Sequence, residues 1–227
     1  MDMNRNKTAW RQMGAMAAAC LIMALVEGLW KPGYALKSLC KLPLFLGLPL
    51  LFASQGLTQP VKTYFAGWRK GLRLGLPLGG GVFLFLLGAY ALLGPYFDFS
   101  AVTGALETNM GVTGRNFWLV SLYIALINSF LEEFFFRGFG FLSLSESLGR
   151  KWACLFSSLL FALYHVAIMA SWFSLALFSL LTAGLAAAGL LFNRLDSRTN
   201  SLYPSWFVHI CANLAINTIG FLLFGLL

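Results

Sequence analysis

Three short stretches of this 227-residue chain hold side chains fit for chemistry in places where charge is costly. LEEFFFRGFGF (131–141) carries Glu132, Glu133 and Arg137; FALYH ends in His165; WFVHICAN carries His209 and Asn213. These histidines are the only two in the sequence. All lie within apolar runs, where an ionisable side chain costs roughly 2.5–3.5 kcal/mol even on lenient membrane-insertion scales. A carboxylate with imidazoles supplies a base and a proton carrier. An amide one helical turn from an imidazole adds hydrogen-bond donors; such groups can serve hydrolysis or a proton relay.

Spacing separates the two carboxylates. On a helix Glu133 and Arg137 stand four residues apart and share a face, so they can pair. Glu132 is turned about 100° from Glu133, and its own i+4 neighbour is Phe136, which offers no charge. The Glu133–Arg137 pair alone suits plain packing, and either histidine alone suits a hydrogen-bonded helix contact. Glu132 is the functional candidate, because a desolvated carboxylate without a cation is the better proton acceptor. Phe161 shares a face with His165, as His209 does with Asn213. Glu27 is the remaining ionisable residue inside an apolar run.

The elements that must position these groups are membrane helices. Hydrophobic residues make up 59% of the chain and charged ones 11%, with a mean hydropathy of +0.77; this is the balance of an integral, multi-pass membrane protein. Runs near the length a bilayer requires, about 20 residues, predict spans at 10–30, 42–57, 76–97, 117–142, 152–170, 172–192 and 203–226. The second is the weakest, because Pro43 and Pro49 shorten it. The expected fold is all-α, a polytopic bundle of about seven transmembrane helices. The last four form a catalytic core over 116–227, and residues 1–115 supply N-terminal helices for substrate access. The apolar stretch after the basic N-terminus runs on to about Trp30, which favours a retained first span over a cleaved signal peptide.

The net charge of +8 does not point to nucleic acid, since the basic residues sit in short loops between spans, where membrane topology puts them. Arg5, Lys7 and Arg11, then Lys62 to Arg73, Arg150 with Lys151, and Arg194 with Arg198 all fall on one side if the N-terminus is cytoplasmic. Lys31, Lys37 and Lys41 fall on the other side, against the rule. Four scattered cysteines form neither CxxC pairs nor a disulfide framework. GLPLGGGVF (75–83) lacks a phosphate-loop pattern and reads as a flexible lead-in or a close helix contact. Depth is the geometric difficulty. At about 1.5 Å per residue, His209 lies about 9 Å, Glu132 about 16 Å and His165 about 20 Å from the cytoplasmic ends of their spans. A shared centre then requires tilted helices, a shifted fifth span or a water-filled cavity.

EEFFFR, FALYH and HICAN resemble, in order, the EExxxR, FxxxH and HxxxN motifs of the CPBP family of intramembrane proteases. That family includes CAAX-processing endopeptidases, bacteriocin-processing and immunity proteins, and abortive-infection proteins. RLDSRTNSLYPSWFVH (194–209) is similar to the family's approach to its third motif, and the likeness covers about 117–217. Members often have eight spans, against the seven expected here. The resemblance implies a glutamic intramembrane endopeptidase: Glu132 activates water with help from His165, His209 and Asn213 donate to the oxyanion, and Glu133, Arg137 and Phe161 support them. It implies a membrane-associated protein or peptide substrate, such as a prenylated CAAX protein, a leader peptide or a C-terminal sorting tail. The expected setting is a bacterial or archaeal inner membrane.

No cofactor is expected on that reading. The rival is zinc held by Glu132, His165 and His209, since the family was long described as metal-dependent; against it, HExxH is absent and the histidines lie 44 residues apart. Outside proteolysis, a transporter or immunity protein could use the same residues as a proton relay. A neutral amide at Asn213 suits an oxyanion better than a proton path.

Overall fold

A chain this apolar must satisfy its backbone groups internally, and helices do so. The computed structural model describes residues 3–169 and 174–227, and no strand occurs among them. Among the described residues six helices are long and apolar enough to cross a membrane: α1 (Arg5–Trp30), α2 (Tyr34–Ser54), α3 (Trp68–Tyr96), α5 (Phe117–Leu148), α7 (Leu175–Thr199) and α8 (Tyr203–Leu223). Two further α-helices lie among the described residues. α4 (Ser100–Met110) lies between the third and fourth expected spans. α6 (Arg150–Met169) coincides with the expected fifth span. The turn expected at about 170–172 lies outside the described residues.

The second span departs most from expectation. It begins at Tyr34 rather than 42 and continues without a break to Ser54. Pro43 has no N–H to give the preceding turn, and the chain absorbs it as the first residue of a wider π-helical turn, Pro43–Gly47. Lys37 and Lys41 are therefore helix residues rather than loop charges. Lys37 pairs with Glu27, and Lys41 is buried. Neither then counts against a cytoplasmic N-terminus, because the charge rule applies to loops.

α5 is the central helix. Every residue from Leu131 to Leu144 is buried, because α1, α2, α6 and α7 surround this stretch. Phe45 of α2 stacks on Phe135 with ring centroids 4.2 Å apart. Gln12 of α1 donates to the Phe139 carbonyl at 2.6 Å, and Ser157 of α6 donates to the Phe136 carbonyl at 2.7 Å. Met16, Met23, Phe45, Phe135, Phe136, Phe161 and Tyr164 belong to one apolar cluster, so the N-terminal helices and the later ones share a core. The charges of α5 thus lie inside protein rather than lipid. The lipid-facing character of α3 is as plain: Leu84 and Phe85 are each 70% exposed.

α3 packs on α8 over the most extensive helix contact in the molecule. Gly75 and Gly79, one turn apart, make it possible: a Cβ at Gly79 would sit 2.7 Å from Cys211 Sγ, and one at Gly75 2.9 Å from Phe207 Cβ. The glycine-rich 75–83 segment is therefore a close helix contact, of the kind small residues permit in membranes. This seam sets the position of α8, which carries His209 and Asn213.

Candidate functional site

Glu132 lies on a short α-helical step, Ser129–Glu132, between two π-helical stretches of α5, Ile124–Asn128 and Glu133–Ser143. Such wide turns are uncommon and cluster at functional sites. The Glu132 carboxylate meets residues from three other helices. Its Oε2 stands 3.7 Å from His165 Nε2 of α6 and 3.7 Å from His209 Nε2 of α8. The depths counted from sequence thus converge.

The far side of each imidazole dictates what the near side offers. His165 Nδ1 lies 2.8 Å from the Phe161 carbonyl, and a carbonyl only accepts, so Nδ1 carries hydrogen. His209 Nδ1 lies 2.8 Å from Glu133 Oε1, which assigns its hydrogen in the same way. A neutral ring at either position therefore turns a bare Nε2 lone pair toward Glu132 Oε2. At 3.7 Å these atoms are too far apart for direct hydrogen bonds. Three electron-pair donors so placed can be satisfied by the hydrogens of a water molecule, by a proton on one of the rings or by a cation.

The expectation that Glu132 has no cationic partner is overturned, and with it the preference for Glu132 as base on that ground. Lys41 Nζ of α2 donates to Glu132 Oε1 at 2.6 Å and to Asn128 Oδ1 at 2.6 Å, and Asn128 Nδ2 donates to the same Oε1 at 2.9 Å. Lys41 escapes a reading confined to neighbours on one helix, because it lies 91 residues away. Asn128 does not: it stands at i−4 from Glu132, a position reached by the same spacing rule applied toward the N-terminus. The misfit of Lys41 with loop charge was the available signal for the lysine.

Glu133 has two partners, not one. Its Oε2 lies 3.3 Å from Arg137 Nε, with both side chains fully buried, and its Oε1 holds His209. The Arg137 guanidinium lies over the rings of Phe161, at 4.1 Å, and Phe192, at 4.9 Å. Phe161 therefore has a double part, presenting a face to Arg137 and a carbonyl to His165.

Asn213 does not touch Glu132 through any observed bond. Its Nδ2 donates to the Ile124 carbonyl of α5 at 3.1 Å, leaving its second N–H for another acceptor. One turn on, Asn217 Nδ2 donates to the Ser121 carbonyl at 2.8 Å, so the two amides fasten α8 to α5. The start of α8 is held separately: the buried Asp196 of α7 accepts from Ser205 N at 3.1 Å and from Ser205 Oγ at 2.8 Å. Asp196 lies in the polar approach RLDSRTNS, where sequence alone assigns it no task.

Zinc was the alternative for Glu132, His165 and His209. Oε1 of Glu132 is already occupied by Lys41 and Asn128, and the lysine ammonium sets a positive charge against a dication. The 3.7 Å separations also exceed the roughly 3.3 Å edge of a tetrahedron with zinc bonds of about 2.0–2.1 Å. Among the described residues no group of three or more His, Cys, Asp and Glu is arranged to hold a metal ion.

Residues 114–215 match the family model described as Rce1-like, type II CAAX prenyl endopeptidase Rce1-like. No curated protein and no solved structure matches the chain. The matched segment contains α5, α6, α7 and the half of α8 that carries His209 and Asn213; Lys41 lies outside it.

Proposed function

We propose that this chain, whose residues 114–215 match the Rce1-like family model, is an intramembrane endopeptidase of glutamic type. The observation that carries the proposal is the meeting of Glu132 Oε2 with two imidazole Nε2 atoms at 3.7 Å, each ring fixed from behind by an obligate acceptor. A water among them gives one hydrogen to Glu132 Oε2 and the other to His165 Nε2, which turns its lone pair toward the scissile carbonyl. As the water oxygen bonds to the carbonyl carbon, its proton passes to Glu132. Glu132 then delivers that proton to the leaving amine as the C–N bond breaks, which restores the carboxylate.

Negative charge develops on the carbonyl oxygen meanwhile and needs donors aimed at it. Asn213 offers the N–H not used on Ile124. His209 donates through Nε2 in its doubly protonated form, and Glu133 at Nδ1 is the anion that stabilises an imidazolium there, the part a buried aspartate plays behind the histidine of a serine-protease triad. His165 is the more open of the two rings, its side chain 18% exposed against 10% for His209 and 3% for Glu132, so the peptide approaches from its side. The substrate class is a membrane-anchored polypeptide with a CAAX-type tail or a comparable processed terminus. The N-terminus faces the cytoplasm.

Cleavage by purified protein tests this. Glu132→Gln, His165→Ala and His209→Ala should each lower kcat by about 1,000-fold or more while the proteins remain folded in detergent. Chelators should leave the wild type active. Activity lost on chelation and restored by zinc would overturn the glutamic reading.

A further inference from the structure

We infer that Lys41 is a positioning residue for the catalytic carboxylate, so that α2 completes a site whose other members all lie on α5, α6 and α8. The inference rests on the reading of Glu132 as the base. Lys41 is 3% exposed, and its ammonium is enclosed by Glu132 Oε1, Asn128 Oδ1 and the rings of Phe45 and Tyr164 at 4.8 and 5.1 Å. A buried ammonium persists only when paired and hydrogen-bonded, and the four groups that enclose it are a carboxylate, an amide oxygen and two aromatic faces.

What the lysine does follows from which oxygen it takes. A carboxylate has two equivalent oxygens and a soft terminal torsion, so an unrestrained Glu132 could present either to the water. Lys41 and Asn128 both donate to Oε1, leaving Oε2, the oxygen that faces both imidazoles, as the single basic atom. Asn128 is itself oriented by Lys41, whose bond to Oδ1 turns Nδ2 toward Glu132. The lysine thus selects the reacting oxygen directly and through the amide. Plain anchoring of α2 on α5 would need the same ion pair but would not depend on which oxygen it used.

The test compares Lys41→Met, Lys41→Arg and Glu132→Gln in the full-length protein, with steady-state cleavage and thermal unfolding measured for each. Lys41→Met should lose roughly 100-fold in kcat with KM changed less than about threefold, the scale of a misplaced reacting group. Lys41→Arg should keep at least a tenth of wild-type kcat, and ethylamine should partly restore Lys41→Met in a saturable manner. Lys41→Met within about twofold of wild type, or slowed equally with Lys41→Arg and untouched by ethylamine, would overturn the inference. If Lys41→Met does not fold, Lys41→Gln takes its place under the same criteria. An inactive Glu132→Gln beside a fully active Lys41→Met removes the lysine's role alone; a fully active Glu132→Gln removes the base and the inference with it.

Discussion

Replacing Glu133 by glutamine keeps the volume and removes one charge from a place with no access to water. Glu133 and Arg137 are both fully buried, with Nε and Oε2 3.3 Å apart, which at an effective dielectric of about 20 corresponds to about 5 kcal/mol of attraction. Breaking one side of such a pair leaves an uncompensated buried cation and costs about 3–5 kcal/mol. For a chain of this size that is a fall in Tm of roughly 10 °C, measurable by unfolding in detergent. Removing both charges is a different perturbation. Glu133→Gln with Arg137→Met should recover most of the stability, because an apolar replacement of a whole buried pair is often neutral. It should not recover cleavage: His209 Nδ1 still lacks its carboxylate, and an amide there permits the wrong tautomer, a loss of at least about 100-fold in kcat. A single variant within about 2 °C of wild type, or a double variant no more stable than the single one, would refute the reasoning.

Other perturbations separate position from chemistry. Gly79→Val should destabilise the protein severely, because its side chain meets Cys211 Sγ, whereas Gly80→Ala, where nothing lies within 4 Å, should shift Tm by no more than about 2 °C. Asn213→Leu should cost about 100-fold or more in kcat through the lost oxyanion donor. Asn217→Leu, which removes a similar bond to α5, should cost about 1–2 kcal/mol of stability and leave kcat within about fivefold. A single cysteine placed at Arg5 in an otherwise cysteine-free protein should react with a membrane-impermeant thiol reagent only from the cytoplasmic face; labelling from outside would reverse the orientation.

Much of the site was legible because the membrane makes polar residues conspicuous. In a run such as FALYHVA each ionisable side chain carries a visible cost, so Glu132, His165 and His209 stand out on one reading of the chain, and Glu133 declares Arg137 by its spacing. Contacts between helices were harder. Glu133 reaching His209 spans 76 residues, and nothing in the local pattern of either marks the other. Lys41 was hidden by a boundary: with the second span taken to start at 42, the lysine falls into a loop, whereas a π-helical turn lets the helix run through Pro43 and bury the lysine. The depth mismatch between Glu132 and His165 disappeared for a related reason: α5 extends to Leu148 and α6 starts at Arg150, which sets the two residues about 24 and 22 Å from those ends at about 1.5 Å per residue. His209 stays about 9 Å from the start of α8 at Tyr203 on the same count and joins them through tertiary packing, which helix ends do not record.

The central claim is that Glu132 activates the water that cuts a membrane-associated polypeptide. Its most direct test is terminal proteomics of membranes from cells carrying either the wild type or Glu132→Gln at equal abundance. The account predicts at least one processed terminus that is present with the wild type and absent with the variant. The same set of processed termini, at the same levels, in both membranes would contradict it.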